Sequence, residues 1–314
     1  MADIGGSNAR FGWLAPGSRR VEHVDQLPVA DYADIASAAR CYLDRVRQGR
    51  GGDYVAPQHA ALAVATAVVH DQVEFTNSDW SFSQQQTRQA LGLQTLKVIN
   101  DFEALALSLP HLQPSQLRAH GALPDQRSTM AVIGPGTGLG VASVVPGPAG
   151  WIAVPGEGGH ATLAPADDYE SALLGAVRQR HAHVSAERVL SGIGLPELYR
   201  AVCAVGGLPI EPEHDAQTLV ASALSGDAIP RQTLDAFCAL LGSFAGCVAL
   251  TVGARGGAYV GGGIVPRLGE FFFQSRFRER FEDKGRLRPY LQAIPTAVIT
   301  DTLAALTGAA AALD

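Results

Sequence analysis

Leu96-Lys97-Val98-Ile99-Asn100-Asp101 runs directly into Phe102-Glu103-Ala104-Leu105-Ala106-Leu107-Ser108-Leu109. The first run reads as a strand and the second as a helix, so Asp101 ends a strand and opens the next element. A carboxylate at the C-terminal end of a strand in an α/β protein sits where ligands are usually met. Asn100 and Asp101 are also good helix N-cap residues, and a cap by itself accounts for them. Taken alone, the cap is the commoner explanation. The remainder of the chain decides how much weight the ligand-facing reading carries.

Outward from this point, strand-like and helix-like segments alternate, which predicts an α/β fold. Strands are expected at residues 11–14, 60–68, 130–133, 141–145, 258–260 and 297–299. Helices are expected over residues 32–47, with Ile35, Ala39, Leu43 and Val46 on one face, over 83–91 before Gly92, and over 234–252. The domain junction is expected within residues 101–114, just after the strand that carries the acid. A glycine turn at Ile4-Gly5-Gly6-Ser7-Asn8 has an echo at Ile133-Gly134-Pro135-Gly136-Thr137-Gly138, each continuing into a strand. Two such hairpins, one in each half, suit a duplicated fold, although glycine turns match by chance easily. Only Met1 and Ala2 precede Asp3. The first arm of that hairpin is therefore expected to be truncated and to fray, or to continue upstream, with a short edge strand as the alternative.

Composition narrows the function classes. Of 314 residues, 47% are hydrophobic and 17% charged, which is the balance of a core-forming globular protein. A net charge of −6 gives no electrostatic footprint for nucleic acid or an anionic membrane. Residues 236–254 form the longest uncharged apolar run, interrupted by Gly242, Ser243, Gly246, Thr251 and Gly253, and read as a buried core helix. With no signal-peptide pattern, a cytoplasmic location is expected. Cys41, Cys203, Cys238 and Cys247 form no CxxC pair and read as reduced, mostly buried hydrophobes. His181 and His183 have no cysteine pair beside them at ligand spacing and read as an exposed helix end. The only lysines are Lys97 and Lys284, and neither follows a glycine loop, so no P-loop site is present.

Three glycine loops, each abutting a strand, are candidates for phosphate or nucleotide contact. In the first, Asp3-Ile4-Gly5-Gly6-Ser7, the glycines let backbone N–H groups approach phosphate oxygens, Ser7 adds a hydroxyl, and Asp3 suits a hydrated Mg2+. The second carries Gly136, Thr137 and Gly138, with Thr137 as hydroxyl donor. The third, Gly261-Gly262-Gly263, offers bare backbone against which a flat base can lie. None has Rossmann spacing. Between the second and third lies Pro155-Gly156-Glu157-Gly158-Gly159-His160. A carboxylate and an imidazole set among glycines supply the acceptors and donors that a polyol needs; a solvated polar turn is the bland alternative. Residues 185–192 fit a capped helix start with Ser185 as cap, and by pattern alone Glu187 is ambiguous.

Eight stretches in this order resemble the bacterial glucokinase family of the hexokinase/actin/Hsp70 superfamily. They are DIGGSNAR at 3–10, TNSDWSFS at 76–83, VINDFEAL at 98–105, GPGTGLGVA at 134–142, PGEGGHATLAP at 155–165, HVSAERVLSG at 183–192, GGGIVPR at 261–267 and FEDKGR at 281–286. The resemblance implies a two-domain actin-like ATPase (ribonuclease H-like) α/β fold with an interdomain cleft. Its small domain would be residues 1–108 plus 300–314 and its large domain residues 109–299. It implies a glucokinase that transfers a phosphoryl group from Mg-ATP to the 6-hydroxyl of glucose, the first step of glycolysis, and a homodimer. The family's catalytic base falls on Asp101 and its sugar ligands on Asn100, Asp101, Glu157, His160 and Glu187. Its phosphate loops fall on Asp3, Ile4, Gly5, Gly6 and Ser7 and on Gly136, Thr137 and Gly138, with the adenosine side at Gly262 and Gly263 and Mg2+ held through water by Asp3. A sugar-binding sensor of weak activity, or a kinase for another hexose, are the alternatives. The cysteine-rich zinc motif of ROK-type sugar kinases has no counterpart here. The chain departs from the family pattern at residues 65–71 and 303–305, where the usual Pro and Gly are missing.

Overall fold

The computed structural model describes residues 1–18, 20–75, 80–125, 127–210 and 215–313. The chain divides into two compact units, Met1–Leu112 with Thr302–Asp314, and Gln113–Asp301.

In the first unit, β1 (Ala2–Ile4), β2 (Asn8–Trp13) and β3 (Glu22–Pro28) form an antiparallel meander. Helix α1 (Ile35–Arg50) follows, then β4 (His59–Val64). A small hairpin of β5 (Gln72–Glu74) and β6 (Ser81–Ser83) leads into α2 (Gln84–Ala90), β7 (Thr95–Asn100) and α3 (Asp101–Ser108). The sheet order is β3-β2-β1-β4-β7. Helix α1 begins three residues later than its apolar period predicts, because Asp34 caps it: its carboxylate accepts from Ser37 N at 2.6 Å, and Ser37 Oγ accepts from Asp34 N at 3.2 Å.

The expectation of a frayed first arm is overturned. Strand β1 has three residues, but it lies in the interior of the sheet, antiparallel to β2 and parallel to β4. Ala2 pairs with Phe11 and Leu62, and Ile4 with Ala9 and Val64. Ala2 and Ile4 are fully buried. A strand gripped on both sides makes two ladders of hydrogen bonds, so three residues suffice where an edge strand of that length would open.

In the second unit, β8 (Leu117–His120) precedes the antiparallel meander β9 (Met130–Pro135), β10 (Leu139–Gly147) and β11 (Gly150–Gly156). Helices α4 (Asp168–Arg178), α5 (Leu195–Gly206), α6 (Ala216–Ser225) and α7 (Ala228–Val252) come next. Strand β12 (Gly257–Val260), the short helices α8 (Val265–Leu268), α9 (Glu270–Gln274), α10 (Phe277–Glu282) and α11 (Arg288–Gln292), and β13 (Thr296–Ile299) complete it. The order is β11-β10-β9-β12-β13-β8, with β9, β12 and β13 parallel. Met130, Ala131, Val132 and Ile133 have no exposed surface. Helix α7 is long and apolar enough to cross a membrane, and here most of its length is buried against its own unit, with Leu234, Phe237, Leu240 and Leu241 in the core.

The two sheets repeat one connectivity. Each contains an antiparallel three-strand meander followed by strands parallel to its first strand: β4 and β7 in one, β12 and β13 in the other. The glycine echo in the sequence therefore marks equivalent turns of a repeated design. The chain ends in α12 (Ala304–Ala311), which packs on α3 in the first unit. Cys203 and Cys238 are buried and Cys41 half-buried, but Cys247 is exposed, against the expectation for a small hydrophobe.

Candidate active site

Asp101 is the first residue of α3, and the cap ahead of it is Asn100. Asn100 Oδ1 accepts from Phe102 N at 2.9 Å and Glu103 N at 3.3 Å, and Nδ2 donates to the Thr66 carbonyl at 3.2 Å. That carbonyl is presented because β4 ends at Val64, short of the expected residue 68, and turns, with Thr66 N donating to Val64 O at 2.8 Å. The ambiguity between cap and ligand-facing acid thus resolves by division of labour. Asn100 satisfies the helix N-terminus, and Asp101, whose Oδ1 accepts from Phe102 N at 2.9 Å within its own turn, is not needed as the cap.

Burial raises the Asp101 carboxyl to about 6, helped by the nearby Asp3 carboxylate and opposed by the local backbone hydrogen bonds. Burial also raises Asp3, and Arg10 opposes that shift. Asp3 pairs with Arg10 across the β1–β2 ladder. Two half-buried acids that repel one another, with one poised near neutrality, are the arrangement expected of a proton acceptor beside a cation-attracting carboxylate. The turn after Asp3 is closed by Gly5 N donating to Asn8 O at 3.0 Å, and Ser7 is exposed with its carbonyl held by Val29 N at 3.0 Å. Lys97 takes no part: its ammonium donates to the Ala312 carbonyl at the end of α12.

In the second unit, the remaining candidates gather around the C-terminal end of β9. The turn Gly136, Thr137, Gly138 is closed by Gly136 N donating to Gly138 O at 2.8 Å, while Leu139 and Gly140 already pair in β10. Thr137 is exposed. The third loop docks beside this turn, with Gly261 N donating to Ile133 O at 2.9 Å and Ile264 N to Pro135 O at 3.2 Å. Gly262 has φ +78°, and a Cβ there would overlap the Pro135 carbonyl, so this position requires glycine. Gly262 and Gly263 present open backbone.

Glu157 precedes and His160 ends a single 3₁₀ turn, residues 158–160, and both residues are exposed. The turn lies flat on the hairpin because Gly158 and Gly159 have no side chains: a Cβ on Gly159 would overlap the Leu139 carbonyl oxygen and sit 3.0 Å from its carbon. Residues 185–194 are a chain of turns, not the capped helix expected there; the helix, α5, begins at Leu195. These turns place Glu187 beside both loops. Glu187 Oε2 accepts from Leu139 N at 2.8 Å, and Oε1 lies 4.0 Å from His160 Nε2. Glu157, His160 and Glu187 are thus brought together with the Gly136–138 turn within one unit. His181 and His183 are not a pair: the first meets Glu197 at 3.1 Å and the second Thr162 at 2.9 Å.

Sequence reasoning missed the partners that hold these groups: the Thr66 carbonyl, the Leu139 amide and the crossing of α3 with α12 at Gly308. Only the last left a local signal, a glycine inside an Ala-rich helical run, where it costs about 1 kcal/mol without a packing reason. Residues 76–79 of the TNSDWSFS stretch lie outside the described residues.

The family model described as Glucokinase matches residues 1–314. The glucokinase of Chromobacterium violaceum is 48% identical over 315 residues, covering 100% of this chain and 88% of that protein. The bifunctional protein glk of Paraburkholderia xenovorans is 45% identical over 314 residues, covering 100% of this chain but 48% of that protein. The chain therefore spans about half the length of several curated relatives it matches. A crystal structure of glucokinase from an Antarctic psychrotroph superposes with a TM-score of 0.90 at 38% identity, covering 99% of this chain and 97% of that one. The fold is the two-domain actin-like ATPase fold of these sugar kinases.

Proposed function

The chain belongs to the glucokinase family, and on that premise we propose that it transfers the γ-phosphoryl group of Mg-ATP to the 6-hydroxyl of glucose, giving glucose 6-phosphate. The observation that carries the reading is Asp101: a carboxylate relieved of capping by Asn100 and raised to about 6 by burial and by Asp3. A base tuned towards the working pH accepts a hydroxyl proton as the oxygen attacks.

The remaining roles follow from the side chains. Glu157, His160 and Glu187 bind sugar hydroxyls, with carboxylates accepting and the imidazole donating or accepting. Asn100, its amide held by the Thr66 carbonyl, lies beside Asp101 as a further sugar ligand. Residues Ile4, Gly5, Gly6 and Ser7, and Gly136, Thr137 and Gly138, direct amides and hydroxyls at phosphate oxygens, while Gly262 and Gly263 lie along the adenosine. Among the described residues no three metal-ligating side chains cluster. Asp3 would hold, through water, a magnesium ion carried on the nucleotide. When bound, the ion neutralises charge on the transferring group; the protein contributes positioning and electrostatics. The reading includes the non-ROK type, supported by four widely spaced cysteines that offer no counterpart to the cysteine-rich zinc motif of ROK-type sugar kinases. A cytoplasmic homodimer, without membrane or nucleic-acid partners, completes the proposal.

A coupled phosphorylation assay with Mg-ATP across glucose, mannose, fructose and N-acetylglucosamine tests it. Glucose is expected to be the preferred acceptor. Asp101→Ala is expected to lose nearly all turnover while still binding glucose by calorimetry. Wild-type turnover in that variant would remove Asp101 as the base.

A further inference from the structure

The turns of residues 185–194 touch both the 157–160 turn and the Gly136–138 turn, and they do so through backbone as well as side chain. Ala186 N donates to Ala161 O at 2.9 Å, and Glu187 N to Gly159 O at 2.9 Å. On the other side, Gly192 N donates to Gly136 O at 2.7 Å and Ile193 N to Thr137 O at 3.4 Å. Glu187 Oε2 closes the set on Leu139 N at 2.8 Å. The fit is tight: a Cβ on Gly138 would lie 2.5 Å from Glu187 Oε2, and one on Gly192 would lie 3.1 Å from Gly136 O.

We propose that Glu187 is a positioning residue for the phosphate-binding turn as well as a sugar ligand, one oxygen bracing the Leu139 amide and the other facing His160 and the sugar. This extends the reading of Gly136–138 as a phosphate loop and rests on it. The physical reason is the shape of the turn. Gly136 and Gly138 give it backbone freedom, and a loose glycine turn places its donors poorly for an oxyanion. A half-buried carboxylate accepting from the first amide after the turn fixes its exit with a charge-assisted hydrogen bond. The same side chain then links two ligands that approach from different loops, so sugar and nucleotide affinities share one determinant.

Two substitutions of nearly equal size separate the roles. Glu187→Gln keeps an acceptor for Leu139 N but loses the charge and one acceptor towards the sugar. Glu187→Met fills the space and accepts almost nothing. Affinity for Mg·AMPPNP, measured by calorimetry without sugar, is expected to be near wild type in the Gln variant and about tenfold weaker in the Met variant. Glucose affinity is expected to fall in both. In steady state, the Gln variant should show a raised KM for glucose with an ordinary KM for ATP, and the Met variant should raise both. Amide exchange at Leu139 should quicken in the Met variant and not in the Gln variant. Equal nucleotide affinity and equal Leu139 exchange in the two variants would overturn the brace. Failure of the unsubstituted protein to bind the nucleotide would instead overturn the phosphate-turn reading, with exchange at Leu139 still deciding the brace.

Discussion

Gly308 lies where α12 crosses α3, the helix that Asp101 opens. A Cβ built there would overlap the Ala104 carbonyl oxygen, and would sit 2.5 Å from its carbon and 3.0 Å from Ser108 N. These are backbone atoms inside a helix and cannot turn aside as a side-chain tip would. Carbon atoms in contact need about 3.5 Å, so Gly308→Ala must part the two helices by at least about 1 Å. Overpacking of this kind costs about 1–3 kcal/mol. The substitution also returns up to about 1 kcal/mol, because alanine is the better helix former. The net expectation is a loss of about 1–2 kcal/mol, or a fall of roughly 4–8 °C in the melting midpoint of the unit that holds both helices. Asp101 would stay ionisable but move with α3, and a misplacement of about 1 Å can cost about a hundredfold in rate. Scanning calorimetry and steady-state turnover on the same preparation check both. The sign is decisive: helix propensity alone predicts a more stable protein. A midpoint at or above wild type would refute the crossing as the determinant of α3's position.

Three further outcomes are expected. A base works only when ionised, so kcat/KM should be flat above about pH 6 and fall about tenfold per pH unit below it, as protons occupy the Asp101 carboxyl; a flat profile down to pH 5 would contradict the assignment. The same shift has a cost in stability. Because the folded-state value is raised to about 6 from the ordinary 3.8 of a free carboxyl, the folded form binds the proton more tightly, and the cost of ionising Asp101 grows as pH rises from 3.8 and is fully present above about 6. Asp101→Asn should therefore melt higher than wild type at pH 7 and lose that advantage progressively as pH falls from about 6 to below 3.8, where both states are protonated; equal midpoints at pH 7 would show that no such cost exists. Finally, Gly159→Ala should lift the 157–160 turn off the Leu139 carbonyl, costing about 1–3 kcal/mol and raising the KM for glucose; unchanged glucose kinetics would separate this turn from the sugar.

How far the sequence reached is visible at particular residues. The apolar period placed α1 within three residues, and Asp34, which starts it, is itself a local signal that was open to reading. The strand–acid–helix order at residues 96–109 was legible for the same reason: period and capping are properties of neighbours in the chain. Which of Asn100 and Asp101 caps the helix was not legible, because the choice depends on a carbonyl at Thr66 supplied by another strand. Strand β1 was misjudged because its stability comes from two partners, β2 and β4, the second of which is about 60 residues away in the chain. Residues 185–192 carry a good helix-start pattern and yet lie in turns, with the N–H groups of Ala186, Glu187, Gly192 and Ile193 taken by the carbonyls of Ala161, Gly159, Gly136 and Thr137.

By itself the sequence determined the α/β class, the glycine turns, the acid at a strand end and the family, because each is written in local period or in short ordered motifs. Tertiary structure alone decided that Asn100 caps so that Asp101 need not, that burial beside Asp3 tunes Asp101 towards neutrality, and that Glu187 serves two loops at once. Those outcomes depend on desolvation, on Coulombic repulsion between residues far apart in the chain, and on hydrogen bonds between elements. None of these is defined until the chain has folded.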